Sequence, residues 1–137
     1  MENLTILIAV NGLVILLFSS LIGLVLAKSL HENRTSEHWH LLHAGGTSRG
    51  IMLMALAGVI QFVSLPAWHL YWASGLVTFF VWTSILAMAL RAITGEKGFY
   101  SGGSLANRSV FWLYAGGAIA LPTGLVWMAV GLISAIK

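Results

Sequence analysis

Three of the five histidines fall inside Glu37-His38-Trp39-His40-Leu41-Leu42-His43, and a run of small residues follows: Ala44-Gly45-Gly46-Thr47-Ser48-Arg49-Gly50. A neutral imidazole is the commonest protein ligand for a metal, and histidine inside an apolar segment marks function by default. Elsewhere the chain offers little chemistry. It has no cysteine, which excludes disulfides, thiolate ligands and iron–sulfur clusters. Its long apolar runs contain no carboxylate.

On a helix from Glu37 onward, Gly46, Thr47, Gly50, Met54, Ala57 and Gln61 fall within roughly 60° of the line through His43. The turns directly above His43 are nearly bare of side chains. An imidazole followed by such a strip describes a flat slot in which a macrocycle could lie against the backbone. Haem iron can be held by one proximal histidine, its other face left open. The cofactor-binding candidates are therefore His43, Gly46, Thr47, Gly50, Arg49 and His40, with His43 as the metal ligand. No catalytic side chain stands out. Gly46-x-x-x-Gly50 has a second reading, the close packing of two membrane helices. Arg49 points about 120° away from His43; it either snorkels to the interface or pairs with a carboxylate such as a haem propionate. His38-x-His40-x-x-His43 also has the look of a multi-histidine metal site, because His40 and His43 can share a helix face. For His38 and His40 taken singly, interfacial polar roles are expected, and His69 reads as structural.

These residues must be positioned by membrane helices. The 137 residues are 58% hydrophobic and 8% charged, with a mean hydropathy of +0.90. Soluble domains carry about 25% charge. The net charge of +3 is too small and dispersed for nucleic-acid binding. Leu4 to Ala27 is almost unbroken apolar sequence, about 36 Å of helix. A signal peptide does not fit it, because Glu2 is acidic, the run is too long and no small-x-small site closes it. Asn11 and Gly12 mark an interior polar position, read as an interhelical hydrogen bond. A polar loop follows from Ser29, with Ser36 as a helix cap. Pro66 separates the second and third spans. Trp68, Tyr71 and Trp72 form an aromatic belt, and Thr94 to Asn107 is a Gly/Ser-rich loop. A kink is expected at Pro122 of the last span.

The expected fold is an all-α integral membrane bundle of four transmembrane helices, one domain over residues 1–137 with spans at about 4–28, 37–64, 67–94 and 108–136. Lys28, Arg34 and Arg49 lie at the first loop, and Arg91, Lys97 and Arg108 at the third. The positive-inside rule puts both loops in the cytoplasm and both termini outside. The chain is thus expected to be multi-pass.

The motif Glu37-His38-Trp39, then His43-Ala44-Gly45, then Gly50-Ile51-Met52 resembles that of the styrene oxide isomerase family, small four-helix membrane proteins with haem b. The resemblance covers about 15 residues of motif, together with the overall length and span number. It implies that His43 is the axial haem ligand, that the chain forms a homotrimer, and that ferric iron acts as a Lewis acid in the redox-neutral conversion of an epoxide to a carbonyl compound. The partners implied are the lipid bilayer and a small apolar substrate of the aryl epoxide type. Six residues after the ligand, where the family has asparagine, this chain has Arg49. The family's third helix supplies a tyrosine and polar partners; here Thr78 to Leu90 offers Thr78, Thr83, Ser84 and Trp82. Phe79, Phe80 and Trp82 are the candidate wall of an apolar site.

Two rival readings come from other classes. A non-catalytic haem protein for electron transfer or sensing would need, if bis-ligated, a second ligand among His40, His69, Met54 and Met88. A cofactor-free packing subunit or carrier ranks last, because a proton-coupled carrier would need an acid within the membrane.

Overall fold

The computed structural model describes residues 2–32 and 37–136. Four helices follow one another: α1 (Glu2–His31), α2 (Glu37–Val59), α3 (Ala67–Thr94) and α4 (Leu105–Ser134), with a short 3-10 turn at Ile60–Phe62 after α2. Among the described residues there is no strand. The all-α bundle expected from the sequence is the fold found.

Long apolar runs become helices here because a backbone in hydrocarbon must satisfy its own hydrogen bonds. On α1 the buried residues are Leu4, Ile8, Gly12, Ile15, Ser19 and Leu26, a stripe at intervals of three, four or seven. The opposite face is also apolar, with Leu7, Leu13, Leu17, Leu21 and Leu24 about half exposed or more. A helix packed on the surface of a soluble protein would turn charge to that side. This one turns hydrocarbon outward, which suits lipid.

By length and composition, α1, α3 and α4 can cross a membrane. The expected second span does not join them, because the first half of α2 carries three histidines, Thr47, Ser48 and Arg49. That polar half is instead inserted between neighbours. Gly12 meets Gly50 and Met54, while Ser19 meets Gly46, so α2 runs antiparallel along α1. Gly45 faces Met88 and Gly46 faces Ile85, which puts α3 antiparallel on another side of α2. In the α3–α4 pair, Gly117 lies on Phe80 and Thr83, and Gly124 on Ala73 and Val77. Helix α3 is the central element; Leu70, Ala73, Val77 and Val81 are fully buried.

Several boundaries moved from their expected positions. Helix α1 continues past Lys28 to His31, with Lys28 placed 4.0 Å from Glu32 one turn on. Helix α4 begins at Leu105, because the Ser104 hydroxyl accepts the Asn107 N–H and caps it earlier than expected. The regular part of α2 stops at Val59, and the chain turns at 63–66, where the Ser64 N–H donates to the Gly131 carbonyl. Helix α4 runs through Pro122 without ending. The expected cap Ser36 lies outside the described residues. Asn11 does bridge helices: its side-chain carbonyl accepts the Trp82 indole N–H at 2.8 Å.

Candidate functional site

His43 sits two turns into α2 and leans on α1. Its Nδ1 is 2.8 Å from the backbone carbonyl of Ser19. A carbonyl can only accept, so Nδ1 carries the hydrogen and the lone pair of the neutral ring is on Nε2. Nε2 has no hydrogen-bond partner among the described residues, yet it is not a buried orphan. It therefore opens to the surface of the chain. Metal-binding histidines commonly donate their other N–H to a carbonyl or carboxylate in this way, which fixes both tautomer and ring orientation.

Ser19 holds His43 twice. While its carbonyl takes the imidazole N–H, its hydroxyl reaches the His43 carbonyl at 2.6 Å. The Thr47 hydroxyl reaches that same carbonyl at 2.9 Å and lies 2.8 Å from Ser19 Oγ. Two hydrogens are shared among three close oxygens, a compact knot between α1 and α2. Gly23, one turn beyond Ser19, forms the floor under the ring. A Cβ there would lie 3.0 Å from His43 Cε1 and 3.2 Å from Nδ1.

The glycine strip does not form the open slot expected of it. A Cβ on Gly46 would stand 3.1 Å from Ser19 Cβ, and one on Gly50 only 2.6 Å from Leu16. Helix α1 fills the strip, and Gly46, Thr47 and Gly50 are taken up by the α1–α2 contact. The other reading of Gly46-x-x-x-Gly50, close helix packing, is the one realised. That packing still serves the imidazole, because the close approach at Gly46 is what brings the Ser19 carbonyl within reach of Nδ1.

Arg49 does not snorkel, and it meets no carboxylate of the chain among the described residues. It turns toward α3, where its Nε donates to Ser84 Oγ at 2.5 Å, its Nη1 donates to the Gly45 carbonyl at 3.0 Å, and its guanidinium lies 5.4 Å from the centre of the Phe80 ring. The expected angular separation holds: His43 addresses α1 and Arg49 addresses α3.

The multi-histidine reading fails on geometry. Among the described residues, no three His, Cys, Asp or Glu side chains converge. His40 is exposed, and His38 leaves a buried Nδ1 unpartnered. Three of the possible second haem ligands pack elsewhere. Met54 packs on Gly12 and Met88 on Gly45. His69 stacks on Trp68 with ring centres 3.9 Å apart and meets Trp127 edge-on, at the end of the bundle away from His43.

The expected aromatic wall divides. Phe79 and Trp82 line a cleft of about 330 Å³ between α1 and α3, together with Asn11, Tyr71 and Thr78. Phe80 faces Arg49 and Gly117 instead. The cleft lies about 12 Å along α1 from Ser19, eight residues at roughly 1.5 Å each, so within one chain it is separate from the imidazole.

Ser19 and Gly23 were not singled out from the sequence, and Ser84 was noted there only as a polar residue of the third span, not as a partner of Arg49. Gly12, Ser19 and Gly23 recur at intervals of seven and four, a small-residue stripe that could have marked the contact face of α1. For Ser84 no comparable signal exists.

A family model described as styrene oxide isomerase matches residues 5–133. No curated protein matches the chain.

Proposed function

The chain belongs to the styrene oxide isomerase family, and on that premise we propose that it is a membrane isomerase that binds haem b through His43 Nε2 and converts an apolar epoxide to a carbonyl compound. The observation that carries the proposal is the Nδ1–H···O=C bond from His43 to Ser19, which leaves Nε2 unprotonated, oriented and open. The ring and its partner would suit a haem ligand, and with the glycine strip filled by α1 the group would be held on the outer side of the α1–α2 contact.

When bound, ferric iron supplies Lewis acidity at the epoxide oxygen. The rest of the reaction asks little of the protein's proton chemistry. One C–O bond breaks, a hydride moves to the neighbouring carbon with its electron pair, and a C=O forms; no proton or electron is exchanged with the protein. The residue inventory suits that balance. The four acidic residues are Glu2, Glu32, Glu37 and Glu96, each at a helix end or in a loop. Arg49 commits its Nε–H to Ser84 and an Nη1–H to Gly45. Exclusion of water matters more, because a carbocation reached by water becomes a diol. Nε2 opens outward, so apolar surface from outside the chain must complete the chamber. A homotrimer with haem between copies supplies it. The bilayer concentrates an apolar substrate such as an aryl epoxide. The basic loops face the cytoplasm of a bacterial inner membrane, with both termini outside.

The test is the absorption spectrum of the detergent-purified protein beside His43→Ala, followed by incubation of the ferric protein with aryl epoxides. The expected result is a Soret band lost in the variant, and aldehyde formed by the wild type alone. A wild type without a Soret band removes the haem; a haem protein inert toward several aryl epoxides removes the isomerase.

A further inference from the structure

At the end of the bundle that carries the α3–α4 loop, Arg91, Lys97, Phe99, Phe111, Tyr114 and Ala115 line a pocket of about 330 Å³. Arg91 lies in the last turn of α3, and its Nε is buried with no hydrogen-bond partner. Among the described residues neither Arg91 nor Lys97 has a carboxylate within 4.0 Å; the ion pair found there is Lys28–Glu32. Glu96, adjacent in sequence, accepts the Ser104 hydroxyl at 2.6 Å.

A half-buried guanidinium with an unmet N–H is an expensive arrangement unless an anion completes it. The loop around it is firmly built. Asn107 accepts the Gly98 N–H and donates to the carbonyls of Tyr100 and Gly102. Gly98, at φ 66°, could not carry a side chain, because a Cβ would fall 2.3 Å from Val110. Lys97 is therefore presented beside Arg91 by an ordered backbone.

We propose that this pocket binds the phosphate headgroup of an anionic phospholipid. The anion meets Arg91 and Lys97, and one acyl chain follows Phe111 and Ala115 down α4. Phosphate diester is the chemistry that the two cations recognise, and basic pockets between membrane helices bind such headgroups. The apolar floor selects a lipid over free phosphate, which would leave Phe111 and Phe99 against water. Two uncompensated cations select an anionic headgroup over a zwitterionic one.

The experiment is native mass spectrometry of the intact protein released from nanodiscs made of equal phosphatidylglycerol and phosphatidylcholine. Arg91→Gln and Lys97→Gln are run alongside the wild type, the second because Lys97 sits on the exposed rim and its loss leaves the fold intact. Expected are phosphatidylglycerol retained in preference to phosphatidylcholine and a loss of about fivefold in retention for each cation removed. Millimolar inorganic phosphate leaves the lipid in place. Equal retention of the two lipids, retention unchanged in both variants, or displacement by inorganic phosphate would each overturn the proposal. So would Arg91→Gln and Lys97→Gln proteins that keep the lipid and lose a Soret band, which would make the anion a haem propionate.

Discussion

Replacing Gly23 with alanine tests whether α1 sets the orientation of the His43 imidazole. The new Cβ would lie 3.0 Å from Cε1, 3.2 Å from Nδ1 and 3.7 Å from Nε2. An ordinary carbon contact is about 3.6 Å, so the ring must retreat by about 0.6 Å. Ser19 is one turn away on the same helix, so a ring pushed off Gly23 also leaves the Ser19 carbonyl. The Nδ1···O distance, 2.8 Å in the native protein, would stretch to about 3.4 Å, past the range of a good hydrogen bond. Losing that bond costs about 1 kcal/mol. Alanine, however, raises helix propensity over glycine by about 1 kcal/mol. The two effects nearly cancel in stability but would not cancel at a haem iron held by Nε2 as proposed. Thermal unfolding followed by circular dichroism should therefore shift little, while haem affinity, titrated by the Soret band, should fall about 10- to 100-fold. Gly75→Ala is the control, since a Cβ there meets nothing within 4 Å. A Gly23→Ala protein that binds haem as tightly as wild type would refute the claim that Ser19 and Gly23 orient the ligand.

Four further substitutions probe the surrounding contacts. Ser84→Ala removes the acceptor of the Arg49 Nε–H in a part-buried setting and should destabilise the bundle by about 1–3 kcal/mol, measured by denaturant in detergent; Arg49→Lys should not be neutral, because an ammonium cannot reproduce the planar fork that spans Ser84 and Gly45. Gly50→Val should separate α1 from α2, since even a Cβ there falls 2.6 Å from Leu16 and 3.1 Å from the Gly12 carbonyl; loss of about 1–3 kcal/mol is expected, and an unperturbed unfolding midpoint would show that the contact is not tight. Asn107→Ala deletes three loop hydrogen bonds, and limited proteolysis between α3 and α4 should accelerate while the spectrum of any bound haem stays unchanged.

The sequence alone carried the helical fold, because apolar runs of this length leave a backbone no other way to satisfy itself in lipid. It also singled out His43, an imidazole whose presence among apolar turns demands a reason, and it carried the interhelical role of Asn11. The use of the bare strip above His43 was open to two readings, since Gly46 and Gly50 admit a flat cofactor or a neighbouring backbone equally well. Only tertiary packing chose between them, by setting Ser19 and Leu16 of α1 into the strip. The same holds for Arg49, whose direction was fixed by helical geometry while its partners, Ser84 and Phe80, come from a helix some 35 residues away in the chain. Periodicity says which way a side chain points; it cannot say what another helix brings to meet it. The floor under the imidazole was likewise decided in space, because Gly23 matters only once α1 and α2 lie side by side.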